Sequence, residues 1–257
     1  MLLANAPHPY ALQADVDTIF VIPALTLAYA FALRRFGAPR WRIVCFGGSM
    51  FTLALAFWTP LHHLGLHYLL TAHLLQNVIL AEWAPLLAVL AISRPMAEAL
   101  ARFRVWRIAV HPAVALPAWL VNYFAWHVPA IYDAALHHQR WLVHIEHACY
   151  FGTGLLFWWP IVSGRLSPPA GLAYLAIAFV GSSFLGLAYI FSSSVFYSFY
   201  VQAPRLWGLS PIRDQNLGGI LMNGEQTVVF LLAIGWFVLR LLDEEHANAA
   251  DGSPARG

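Results

Sequence analysis

Residues Tyr68–Ile92 read YLLTAHLLQNVILAEWAPLLAVLAI, an apolar stretch with no lysine, arginine or aspartate and a single carboxylate, Glu82. A helix needs about 20 predominantly apolar residues to cross the hydrocarbon core of a bilayer, so this segment predicts a transmembrane helix. Its polar residues fall in order: His73, Gln76 and Asn77 stand at i, i+3 and i+4 and form one stripe. An imidazole at membrane depth needs a hydrogen-bond partner, a proton to carry or a metal to bind. One segment therefore sets the fold class and points to the chemistry.

The rest of the chain follows the same pattern. Of its 257 residues, 60% are hydrophobic and only 10% are charged. Besides Tyr68–Ile92, the runs Thr18–Leu33, Trp41–Trp58, Ala113–Trp126, Trp141–Val162, Gly171–Ser192 and Leu217–Leu242 read as spans. Pro117 and Asn122 make the fourth the weakest. The expectation is an all-α, polytopic integral membrane protein, a bundle of about seven transmembrane helices. Residues 1–16 form a short tail, 17–242 the single membrane domain and 243–257 a second tail. The first sixteen residues carry no Lys or Arg, so the basic n-region of a signal peptide is missing. Cys45 and Cys149 lie on different spans, which argues against a disulfide and for two free thiols. Trp58, Trp126, Trp141, Trp158, Trp159 and Trp207 read as interface anchors at span ends. Gly181, Ser182, Ser183 and Gly186 offer a small-residue surface for close helix approach.

All fourteen basic residues are arginines, and they are unevenly placed. The loops after spans one, three and five hold Arg34, Arg35, Arg40, Arg42, Arg94, Arg102, Arg104, Arg107 and Arg165. The alternate loops hold only Arg140, Arg205 and Arg213. The positive-inside rule then puts the N-terminus outside and the C-terminus inside. Ten of the twelve histidines follow to the outer side. His62, His63 and His67 sit in the loop between spans two and three, and His127, His137 and His138 at or after the end of span four. His73, His144 and His147 stand within the outer turns of spans three and five.

His144 and His147 are three apart and share a helix face. His73 and His127 add imidazoles from two further helices. Neutral imidazoles from several helices suit copper or zinc, so His73, His127, His144 and His147 are the candidate metal ligands. Glu82, nine residues past His73, faces another way and reads as a protonated carboxyl bonded to a neighbouring helix. Asp214 and Glu225 share one face of span seven. Met222, on that flank, offers a soft thioether, although a packing role fits it better. No nucleophile motif, phosphate loop or basic nucleic-acid surface occurs.

The segments Thr71-Ala72-His73-Leu74-Leu75-Gln76-Asn77, Ala84-Pro85-Leu86-Leu87 and Arg94-Pro95 resemble the multi-span CtaG-like family of cytochrome c oxidase assembly factors. So do Trp126-His127-Val128-Pro129-Ala130-Ile131-Tyr132-Asp133-Ala134-Ala135-Leu136 and His144-Ile145-Glu146-His147. Phe157-Trp158-Trp159-Pro160, and Asp214-Gln215 with Gly218-Gly219 and Met222, complete a pattern that covers about Trp58 to Met222. The resemblance implies a bacterial inner-membrane protein that helps a haem–copper oxidase mature, by handling copper or by stabilising a subunit. It carries roles over to His73, His127, Tyr132, His144, His147, Asp214 and Gln215. Two positions depart from the pattern. Asn77 stands where the family's second span-three histidine is usual, and Asn223 where a tryptophan often follows the methionine. Asn77 removes one potential ligand, which His62, His63 or His67 could replace.

The leading expectation is thus a non-enzymatic assembly factor whose partners are oxidase subunits and the lipid bilayer, with copper as its metal. The rivals are a histidine-ligated haem protein that carries electrons, a metal-free structural chaperone and, last, a copper channel. The channel suffers because the cytoplasmic half is nearly bare of polar groups.

Overall fold

The computed structural model describes residues 8–12, 16–137 and 140–251. Asp15, most of the N-terminal tail and His138 lie outside the described residues. The order is α1 (Val16–Phe36), α2 (Arg40–Trp58), α3 (Pro60–His67), α4 (Leu70–Val78), a π-helical turn (Ile79–Trp83), α5 (Ala84–Ala91), α6 (Arg94–Leu100), α7 (Arg104–Ala109), α8 (Pro112–Trp126), α9 (Pro129–His137), α10 (Arg140–Val162), α11 (Pro168–Phe191), α12 (Ser198–Gln202) and α13 (Pro211–Asp251). There are no strands among the described residues. Prolines open α3, α8, α9, α11 and α13, where the missing N–H is an orphan in any case. Gly37 (φ 71°) and Gly164 (φ 69°) follow the ends of α1 and α10 in the left-handed region, which stops a helix with no Cβ penalty.

A helix stands wherever the sequence predicts a span. Five are long and apolar enough to cross a membrane: α1, α2, the continuous α4–π–α5 rod, α11 and α13. The helix α8 has 15 residues and qualifies only together with α9, across a 64° bend. The 23 residues of α10 are long enough, yet this helix falls outside the set. Its first two turns carry His144, Glu146 and His147, which lower its apolarity. The expected count of seven therefore reduces to five or six by length and composition.

Side-chain contacts fix the relative directions. The α4–α5 rod and α10 run parallel, since His73 meets Glu146 near one end and Ala81 meets Gly154 farther along. The rod and α13 are parallel too, with Leu70 against Asp214 and Glu82 against Gln226. Helix α2 opposes the rod, pairing Ala56 with Gln76 and Ser49 with Ala84. Helix α11 opposes α13, where Gly186 abuts Asn223 and Gly171 abuts Phe237. The rod, α10 and α13 thus run one way and α2 and α11 the other, so direction alternates along the chain, as it must in a chain that weaves across a bilayer.

The glycines of α11 do serve close approach, as expected. A Cβ on Gly186 would lie 2.0 Å from Asn223 Oδ1, and Asn223 Nδ2 donates to Ser183 O at 3.3 Å. The tryptophans correct one expectation. Trp158 and Trp159 are buried beside Phe157, Trp119 and Phe230 in a second aromatic core, because Pro160 lies inside a helix that continues past them to Val162. Trp141 and Trp207 are exposed. Both cysteines are free and half-buried.

Candidate metal-binding site

The site begins where α4 starts. The first backbone N–H groups of a helix lack intrahelical acceptors, and here a residue 144 positions away supplies them. Asp214 Oδ2 accepts from Leu70 N at 2.7 Å and Oδ1 from Thr71 N at 3.1 Å. Its backbone carbonyl accepts from Thr71 Oγ1 at 2.8 Å. The next two residues hold other elements. Gln215 accepts from Phe196 N and donates to Ser194 O, and Asn216 donates to Tyr189 O. Asp214 and Gln215, candidates from the sequence, thus fasten α13 to the histidine-bearing helix and to the loop after α11.

One turn into α4, His73 is fully buried. Its Nε2 donates to Glu146 Oε1 at 3.2 Å, and Asn77 Nδ2 donates to the same oxygen at 2.8 Å. His147 lies on the same side of α10, its ring centroid 6.0 Å from that of His73. His73, Glu146 and His147 each offer a ligand atom, and these atoms lie within 4.8 Å of one another. Bonds of about 2 Å to one ion need ligand atoms roughly 3–4 Å apart, so small side-chain rotations would complete the site. Neither ring nitrogen of His147 has a hydrogen-bond partner among the described residues, nor does Nδ1 of His73. Leaving a buried polar nitrogen unsatisfied costs about 1–3 kcal/mol. An unpartnered imidazole at His147, beside a second imidazole and a carboxylate, is a donor set that a divalent ion of borderline softness accepts once His73 gives up the Nε2 proton it shares with Glu146. The residues fit such an ion.

Helix α3 closes the site from the loop side. Gly65 packs on the backbone of α4, where an added Cβ would come 2.9 Å from His73 Cα. Only glycine permits that approach. His62, His63 and His67 are consequently buried although they belong to a connection between spans. His62 Nδ1 accepts from Gln76 Nε2 at 3.0 Å. Burial, aided by the neighbouring His63, lowers the His62 pKa to about 4, so this ring is neutral at physiological pH. On the far side Tyr132 packs against His73, ring centroids 5.0 Å apart, and stacks on Tyr197 at 4.1 Å.

The four expected ligands separate. His73 and His147 come together. His144 does not join them: it is exposed and borders a cavity of about 550 Å³ between α1, α2 and α10 that also reaches His147. Residues i and i+3 differ by about 60° around a helix, enough here to turn one ring outward and the other inward. His127 stands outside the group. Its Nδ1 donates to Tyr123 O at 2.6 Å, Tyr150 Oη lies 3.3 Å from the same nitrogen, and its carbonyl accepts from Tyr197 Oη at 3.1 Å. Met222 is buried in the apolar core, a packing position. Asn77 belongs to the site, bonded to the carboxylate. Glu146 was not singled out by sequence reasoning, although a carboxylate between two histidines in the first turns of a span was the available signal. Glu82 accepts from Gln226 Nε2 at 2.9 Å, bonded to a neighbouring helix as expected.

A family model described as cytochrome c oxidase caa3 assembly factor matches residues 26–244. No curated protein and no solved structure matches the chain.

Proposed function

The chain belongs to the cytochrome c oxidase caa3 assembly factor family, and from that membership we propose that it serves oxidase maturation by holding a copper ion as cargo. The ion sits on His73, His147 and Glu146, near the periplasmic face of a bacterial inner membrane. The observation that carries this reading is the buried convergence of those three side chains, with both His147 nitrogens unpartnered. Neutral imidazoles and one carboxylate hold the ion without thiolate, which keeps it exchangeable towards a partner. Seven crossings, α10 included, with the arginine-rich loops inside, put this end of the bundle outside. No catalytic step is assigned to the protein.

Haem fits less well, because the ligand atoms of both imidazoles and of Glu146 all lie within 4.8 Å of one another, a three-donor cluster that suits one small ion. The test is metal content. Purified wild-type protein should carry about one copper per chain after exposure to Cu2+, whereas His147→Ala and Glu146→Gln should carry little. Cells with either variant at normal protein levels should assemble an oxidase poor in copper. Full oxidase copper with both variants, at limiting copper, would leave the metal-free chaperone as the working reading.

A further inference from the structure

The three α3 histidines are more than a lid. Ring centroids step from His73 to His147 at 6.0 Å, from His147 to His62 at 6.0 Å, from His62 to His63 at 5.9 Å and from His63 to His67 at 6.4 Å. All five rings are buried. The spacing has a chemical meaning. A metal–nitrogen bond is about 2 Å and the ring centroid lies roughly 1 Å behind the nitrogen, so two imidazoles sharing one ion have centroids up to about 6 Å apart. The His73–His147, His147–His62 and His62–His63 pairs stand at about that limit, and His63–His67, at 6.4 Å, reaches it with a small movement of one ring. Helix geometry sets the His62–His63 and His63–His67 intervals, i, i+1 and i, i+4 on α3, and tertiary packing sets the other two, which join that row to His147 and His73.

We propose that His67, His63 and His62 form a loading path that passes a divalent copper ion by stepwise imidazole exchange to His147, His73 and Glu146. This rests on the reading of those last three residues as the cargo site. The row ends at His67, itself buried, at the C-terminus of α3 beside Tyr68. The exchange is redox-neutral: each step makes one metal–nitrogen bond and breaks one, and the ion keeps its charge. At His62 the Nδ1 lone pair is held by Gln76, so passage there exchanges one hydrogen bond for one metal bond. The cavity between α1, α2 and α10 is a competing entry, because Thr18 and His144 stand in its otherwise apolar lining and it reaches His147 directly; loading by that route would leave the His63 and His67 variants at the wild-type rate.

The experiment separates rate from capacity. Full-length protein in detergent micelles is mixed with Cu2+, and binding is followed by stopped-flow absorption of the copper–imidazole bands, with final stoichiometry from elemental analysis. His63→Gln and His67→Gln preserve polarity, and helix content by circular dichroism checks folding. Both should reach the wild-type stoichiometry while loading about tenfold more slowly, within the span that on-rates of variants cover. His147→Ala should lose the stoichiometry itself. Folded His63→Gln and His67→Gln proteins that load at the wild-type rate would overturn the path and leave the cargo site standing. Should His63→Gln misfold, His67→Gln alone decides, since every ion on this path meets His67 first. A wild-type protein that binds no Cu2+ would overturn the cargo site, and the path with it.

Discussion

Asn77 Nδ2 donates a 2.8 Å hydrogen bond to Glu146 Oε1, the oxygen that also accepts from His73 Nε2 at 3.2 Å. The residue that stands where a second histidine is expected therefore orients the carboxylate. Groups that orient ligands are worth about 10–100-fold in metal affinity. Asn77→Leu should weaken Cu2+ binding by about that factor with stoichiometry intact at saturating metal. Asn77→His replaces an orienting donor with an imidazole beside the site and should tighten binding. Isothermal titration of the two variants against wild type checks both signs.

His144 and His147 share a motif but not a fate. His144 is exposed, whereas His147 is buried within the metal-capable group. His144→Ala should retain copper stoichiometry in the purified protein and copper in the oxidase, and His147→Ala should lose both. Equal losses would show that the exposed ring takes part.

Asp214 caps α4 with two charge-assisted bonds to Leu70 N and Thr71 N. Asp214→Ala leaves two buried donors unpaired, a loss of about 2–3 kcal/mol. Thermal unfolding in detergent should shift down clearly, although the change removes no candidate ligand. Because the cap holds the helix that carries His73, metal affinity should fall alongside stability.

Two glycines of α10 make a matched pair. A Cβ at Gly154 would lie 2.4 Å from the Ala81 carbonyl oxygen and 2.6 Å from Pro85 Cγ, while one at Gly152 meets nothing within 4 Å. A backbone oxygen cannot rotate away, so Gly154→Ala must push α10 off the π-helical turn, at about 1–3 kcal/mol. Gly152→Ala should be neutral or slightly stabilising, since alanine is the better helix former. Comparing their melting temperatures checks the α10–π packing directly.

The outward orientation of the site is tested by single cysteines in a background with Cys45 and Cys149 replaced. A membrane-impermeant maleimide applied to spheroplasts should label Ser193→Cys and spare Arg102→Cys until the membrane is opened. The opposite pattern would invert the topology and turn the histidine end inward.

The sequence by itself determined the all-helical membrane class and where along the chain the long apolar helices lie. These are properties of composition and of period along one helix, and each span reports them without reference to its neighbours. The family, too, was legible, because motifs such as Trp126-His127-Val128-Pro129 survive as strings. What only the tertiary structure decided was which side chains meet. Whether His144 or His147 faces inward depends on a rotation of about 60°, which helix packing sets. Glu146 matters because Asn77 and His73 reach it from another helix. The α3 histidines are buried because a glycine lets two backbones touch. Asp214 reads as a site carboxylate until the start of α4 is seen against it. Contacts between residues 69 to 144 positions apart are chosen by the fold as a whole, and no local pattern encodes them.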